Sequence, residues 1–239
     1  MADHPAETLA PAVLDALALY DTPTICNALE IVAPARRLTG FTTRPLVCPF
    51  PELPPIVGYA RTATIRATAA SSLSAAEQQA QRLAYYEYVG QGDGPRISVI
   101  QDIDGPEAGF GAFWGEVNSA IHLALGCLGV VTDGSIRDIP QWAPGFQALA
   151  GSIGPSHAHV HVTGFGAEVR VAGMTVRSGD LIHADRHGAV VIPYDVAARV
   201  PEAAELCGRR EEPLLAIARG DAFSLDKLRD ALKRSSEIH

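Results

Sequence analysis

Apolar positions recur at helical spacing near both ends of the chain and in strand-like runs between them. Residues 9–20 place Leu14, Leu17 and Ala18 on one helix face. Asp21 or Thr22 then caps a second helix, with Pro23 in its first turn. Residues 34–55, rich in proline and turn residues, are expected to wrap the surface. VGYARTATIRAT, residues 57–68, alternates as a strand. Residues 74–89 open on Ser74-x-x-Glu77, a capping box ahead of a long helix. RISVIQDID is a strand ending in acids, and a loop with four glycines follows over residues 105–117. A helix from about Glu116 to Gly126 and the strand LGVVTD complete one βαβ-like unit. From 146 to 194 short strands and tight turns predict hairpins in VRVAGMTV and LIHADRHGAVVIP, with Asp185 to Gly188 as a turn and Gly188 at positive φ. Beyond Asp195 the pattern is helical, with breaks near Pro201, Pro213 and Gly220. No fixed-period repeat is present. The fold class is α/β, a mixed sheet flanked by helices at both chain ends.

Composition narrows the partners. Of 239 residues, 47% are hydrophobic and 19% charged, which suits a globular protein with a substantial core. A formal net charge of −8 without a basic run argues against nucleic acid as a partner. No apolar run is long enough to span a bilayer, so no membrane association is expected. The N-terminal stretch carries acids and no basic segment before an apolar run, so no signal peptide is expected. Cys26, Cys48, Cys127 and Cys207 form no C-x-x-C pair and read as reduced thiols of a cytoplasmic protein.

One stretch breaks the pattern. In GVVTDGSIRDIP, residues 129–140, an apolar strand runs directly into Asp133, Arg137 and Asp138. Twenty residues separate Glu116 from Arg137, and Asp138 follows at once. The start of a helix and the end of the following strand can share one sheet edge, so Glu116, Arg137 and Asp138 could converge. The glycine-rich loop would deliver the chain to a helix start whose free N–H groups favour an anion. Arginine clamps a carboxylate through paired hydrogen bonds. Asp138 and Glu116 could hold a hard divalent ion directly or through water. Together these features suit a 2-oxo acid. The plainer alternative is a structural Arg137–Asp138 ion pair beside a helix-start carboxylate.

Here the residues resemble a family. GEV at 115–117, GVVTDGSIRD at 129–138 and SGDLIHADRHGAVVIP at 178–193 are similar to the RraA-like family, over roughly residues 20 to 220. That family contains class II pyruvate aldolases acting on 4-hydroxy-4-methyl-2-oxoglutarate and 4-carboxy-4-hydroxy-2-oxoadipate. It also contains regulators of ribonuclease E, and members mislabelled as demethylmenaquinone methyltransferases. The aldolases carry an acid, twenty residues, then Arg-Asp; here the acid is Glu116 rather than Asp. The regulators replace the final Asp, so its retention as Asp138 favours an enzyme.

The resemblance implies Asp138 as the direct ligand of Mg²⁺ or Mn²⁺. It implies Arg137 as the group that binds the 2-oxo acid and stabilises its enolate, and Glu116 as the residue that orients water on the metal. Gly115, Glu116, Val117, Asn118 and Arg137 would form the substrate site, with backbone amides near Glu116, Val117 and Asn118 receiving the carboxylate. The implied fold is an αββα sandwich around a swivelling-type β core. The whole chain, 1–239, would form one RraA-like domain, with N-terminal helices over about 9–32 and a C-terminal helical tail over about 195–236. The implied assembly is a homo-oligomer, trimer or hexamer. The implied reaction is cleavage of a 4-hydroxy-2-oxo acid to pyruvate, with oxaloacetate decarboxylation through the same enolate. No lysine lies in the constellation, which disfavours a Schiff-base aldolase. The alternative is a non-catalytic regulator that binds a ribonuclease or another protein. A methyltransferase is disfavoured, because no glycine-rich nucleotide turn follows an early strand.

Other polar residues fit less demanding roles. His157, His159 and His161 would share one face of a strand and could bind zinc or a substrate carboxylate; a solvent-facing or inter-subunit strand face is the preferred reading. His183 and His187 read as turn or rim residues. Tyr85, Tyr86, Tyr88 and Trp114 read as packing, and Asp102 and Asp104 as turn formers or a charge behind the site.

Overall fold

Local sequence signals explain where the helices begin. In the computed structural model, which describes residues 8–221 and 223–238, helix α1 spans Pro11–Leu17 and α2 spans Thr22–Val32. Residues 1–7, part of the acidic stretch read against a secretion signal, lie outside the described residues. Helix α1 begins later than the expected 9–20 because Pro11 sets its first turn, and it ends at Leu17. Asp21 caps α2, its side chain accepting the Thr24 N–H at 2.9 Å. The capping box forms at α3, Ala75–Val89: Glu77 accepts the Ser74 backbone N–H at 2.8 Å while Ser74 faces the Glu77 N–H.

The centre of the molecule is a curled mixed sheet. Strand β1, Ile56–Arg66, pairs in parallel with β2, Arg96–Asp102, which pairs in parallel with β4, Cys127–Thr132. Strand β6, Gln147–Leu149, extends that side. On its other side β1 pairs antiparallel with β11, Leu181–Asp185, and then with β8, His161–Phe165. Strand β12, Gly188–Ile192, closes the edge as a hairpin with β11. The hairpin turn lies where expected, and Gly188 has φ +132°. The expected strand forms as β1, and it is buried on both faces because the sheet is covered on both sides.

Two layers cover the sheet. Helices α1, α2 and α5, Val200–Arg219, bury Leu17, Ile25 and Val200 against one face. Helices α3 and α4, Glu116–Ala124, bury Tyr85, Trp114 and Phe146 against Ile65, Ile100 and Val130. The hairpin of β9, Val169–Val171, and β10, Met174–Val176, packs on β2 and the β11–β12 edge. The chain ends in α6, Leu225–Ser236. The expected break at Pro213 does not occur. Pro213 lies inside α5, next to exposed residues where water can take up the released carbonyl, and Pro201 sits in its first turn. Among the described residues, no helix is long and apolar enough to cross a membrane.

Candidate active site

A second, small sheet brings the predicted residues together. Strand β3, Ala112–Trp114, pairs in parallel with β5, Ser135–Ile136, which pairs with β7, Ser152–Ile153. Convergence was expected at the end of the 128–133 strand. Arg137 and Asp138 instead leave β5, a separate two-residue strand beyond it. The Arg137 N–H donates to the Trp114 carbonyl at 2.9 Å, which sets Arg137 and Asp138 directly beside the start of α4.

Asp138 is held unusually. Its backbone is left-handed, φ 54° and ψ 37°, which few residues other than glycine, Asn and Asp adopt. Its Oδ2 accepts the Glu116 N–H at 3.4 Å and lies 3.5 Å from Arg137 Nε. Gly115 makes the fit possible: a Cβ there would stand 2.5 Å from Asp138 Oδ2. Gly115→Ala should therefore push the carboxylate off the helix start while leaving the fold standing. The expected result is a drop in turnover of roughly tenfold or more with a melting temperature near wild type. Wild-type kinetics in Gly115→Ala would show that the position of Asp138 is unimportant.

Gly115, Val117, Asn118, Arg137 and Asp138 line one cavity of about 540 Å³. Glu116 stands exposed in the first turn of α4, and its side chain is not part of the cavity wall. By helix geometry the N–H groups of Glu116, Val117 and Asn118 lack intrahelical acceptors, and that of Glu116 is turned to Asp138. The Asn118 side chain is already engaged, donating to Phe113 O at 2.5 Å and accepting from the Tyr86 hydroxyl at 2.8 Å.

Other acids near the strand ends serve the backbone. Asp102 accepts the N–H groups of Asp104 and Gly109, and Asp133 accepts that of Asp102. Asp104 binds Ala67 and Thr68. Burial pushes the carboxyls of Asp102 and Asp133 above their ordinary range. His183 is buried between Thr22 and the Tyr20 carbonyl, and Asp185 accepts the Thr22 and His187 N–H groups. The Trp114 indole is fully buried.

The three histidines do not share a strand face. Only His161 belongs to β8, while His157 and His159 lie in the preceding loop. Ser156 accepts the Ala158 N–H there, and Ala158 has φ +45°, which breaks the alternation. All three nonetheless line the same cavity as Arg137 and Asp138.

Sequence reading did not single out His122, on the buried face of α4. Its Nδ1 donates to Asn118 O at 2.7 Å, so Nε2 accepts from the Tyr85 hydroxyl at 2.8 Å. Burial pushes its pKa down from 6.5 to about 4. The stability this neutral ring supports is complete above about pH 6.5 and is lost as pH falls toward 4. His122→Gln should remove on the order of 3 kcal/mol of the stability difference between neutral pH and pH 4. Urea unfolding at both pH values measures it; an unchanged difference would show that the ring is protonated in the fold.

The donor set favours one type of cation site. Among the described residues, no three His, Cys, Asp or Glu side chains are grouped to hold a metal ion. A closed zinc site, including one built from the three histidines, does not fit. A single carboxylate on a cavity wall does fit Mg²⁺ or Mn²⁺, which keep water and accept ligands from substrate.

The fold and the site thus define a mixed α/β protein with an arginine–carboxylate pair held at a helix start. The family model named RraA-like (Aldolase/RraA) matches residues 22–191, and the chain belongs to this family. No curated protein matches the chain in sequence. Its fold is similar to that of an uncharacterized protein from Pseudomonas syringae pv. tomato str. DC3000, with TM-score 0.68 and 21% identity over 94% of this chain and 98% of that one. It is also similar to Streptomyces coelicolor RraAS2, described as an unusual member of the RNase ES inhibitor RraA protein family (TM-score 0.67, 22% identity, 87% of this chain, 98% of that one). A third similar structure is described under novel cellulases from microbes associated with the gut ecosystem (TM-score 0.70, 17% identity, 88% and 89% covered). At these identities the likeness is one of fold.

Proposed function

We propose that the chain is a divalent-metal-dependent lyase that cleaves a 4-hydroxy-2-oxo acid to release pyruvate, and that it also decarboxylates oxaloacetate. One observation carries this reading: Arg137, Asp138 and the first turn of α4 meet in the wall of a single cavity. The arginine fork binds the substrate carboxylate and carries the negative charge that develops on the enolate. Free N–H groups of the α4 first turn receive the other carboxylate oxygen. Asp138 is the residue that would hold Mg²⁺ or Mn²⁺. When bound, such an ion supplies Lewis-acid polarisation of the oxo group. Glu116 acts through water, taking the proton of the C4 hydroxyl as the C3–C4 bond breaks; the enolate then gains a proton at C3 to give pyruvate. Assembly as a trimer or hexamer belongs to the same proposal.

The second reading, a non-catalytic regulator, draws on the description of the Streptomyces protein. The intact Arg137–Asp138 pair and its strained, cavity-facing setting favour the enzyme. The test is pyruvate release from oxaloacetate. Turnover should require Mg²⁺ or Mn²⁺, stop with EDTA and return when the ion is added back. Turnover indifferent to EDTA would remove the metal from the account.

A further inference from the structure

The cavity extends well past Arg137 and Asp138. At about 540 Å³ it has room for roughly eighteen waters at about 30 Å³ each, and a three-carbon oxo acid fills only a fraction of that. The remaining wall is built by α3, which contributes Gln78 and Arg82, by the loop carrying His157 and His159, and by His161 at the start of β8.

This loop is fastened at several points. Ser156 O accepts the Ala112 N–H at 2.9 Å, Ala67 O accepts the His159 N–H at 3.2 Å, and His157 O accepts the Val160 N–H at 2.9 Å. Gly111 lies so close beneath it that a Cβ there would stand 2.6 Å from His157 O. Two of the rings are fixed as well. His157 Nδ1 is 2.7 Å from Ala158 O, and His161 Nδ1 is 2.8 Å from His159 O. A carbonyl only accepts, so each Nδ1 carries the hydrogen, and in the neutral ring each Nε2 is left as an acceptor. Gln78 Nε2 donates one hydrogen to Leu73 O at 2.8 Å, which leaves its oxygen as a further acceptor and its second N–H as a donor. Arg82 makes no ion pair among the described residues and supplies donors only.

A wall of fixed acceptors interleaved with donors selects its ligand. A carboxylate only accepts: it can use only Arg82 and the second Gln78 N–H, and it would set its lone pairs against those of the imidazoles. An alkyl group does neither. A hydroxyl does both. We infer that this wall is a hydroxyl-reading subsite, and that the preferred substrates are 4-hydroxy-2-oxo acids whose chain beyond C4 carries further hydroxyl groups. This rests on the lyase reading above. The histidine segment, which lines the same cavity as Arg137, would then determine specificity.

The experiment compares kcat/KM for pyruvate release in mildly alkaline buffer with Mg²⁺. Three substrates share the reacting end: a 2-oxo-3-deoxy-aldonate with a polyhydroxylated tail, 4-hydroxy-2-oxopentanoate with a methyl tail, and 4-hydroxy-2-oxoglutarate with a carboxylate tail. Wild type should prefer the hydroxylated tail by roughly tenfold or more over both others, the worth of one to three hydrogen bonds. The double variant His157→Phe with His161→Phe should bring the ratios close to one. His157→Gln with His161→Gln, which keeps an acceptor, should recover part of the preference. Both positions lie at the protein surface, and a thermal melt checks that the variants fold. Equal rates on all three tails in wild type, a preference for the carboxylate tail, or a hydroxyl preference that survives the Phe pair would each overturn the subsite. Release from oxaloacetate without any hydroxyl preference would overturn the subsite alone. No release from any substrate, oxaloacetate included, would overturn the lyase reading and the subsite with it.

Discussion

Asp138→Asn is expected to eliminate metal-dependent pyruvate release while leaving the fold intact. Asn keeps the shape, tolerates the left-handed backbone at φ 54° and can still accept the Glu116 N–H. What it loses is the charge that would hold a divalent cation. Several kcal/mol of barrier lowering depend on that ion, so the rate should fall on the order of a thousandfold. Asp138→Gly should be equally inactive for a different balance of forces. Relief of the left-handed strain, about 1–2 kcal/mol, offsets the lost helix contact of roughly similar size. Its melting temperature should therefore stay within a few degrees of wild type. Calorimetric Mn²⁺ titration together with turnover separates charge from fold. An Asn variant that binds Mn²⁺ and turns over normally would leave Asp138 a helix cap and nothing more.

Arg137→Lys should be nearly as damaging as Arg137→Ala, with both losing on the order of 10²–10³ in kcat/KM. Lysine keeps the positive charge. It loses the planar fork that can meet a carboxylate and an enolate oxygen together, and the Nε placed 3.5 Å from Asp138. The backbone bond from Arg137 N–H to Trp114 O does not depend on the side chain, so the helix start stays where it is. Steady-state kinetics on the two variants decides the matter. If Lys restores most of the activity, charge alone matters and the fork is irrelevant.

The parts of this molecule that could be read from the sequence are those set by short-range chemistry. Ser74 and Glu77 announced α3 because a capping box is complete within four residues. The β11–β12 hairpin was legible because its turn needs only Gly188 and its neighbours. Arg137 and Asp138 were marked by a family motif, but the way they reach α4 was not. Strands β3, β5 and β7 are two or three residues long, too short for any period, and their pairing joins segments far apart in the chain. The histidine loop was misread for a related reason. Alternating His residues imitate a strand, but a local turn at Ala158 together with contacts to Ala112 and Ala67, remote in sequence, takes 157–160 out of β8. His122 passed unnoticed because its partner Tyr85 becomes a neighbour only when α3 packs on α4.

The most direct measurement is pyruvate formation, followed by coupled reduction to lactate, from a panel of 4-hydroxy-2-oxo acids with the wild-type chain and with Asp138→Asn. Wild type should release pyruvate from at least one member with Mg²⁺ or Mn²⁺ and from none with EDTA, and Asp138→Asn should release none under either condition. Release by wild type and Asp138→Asn at equal rates, or no release by wild type from any member with either ion, would contradict the assignment of this cavity as a lyase site.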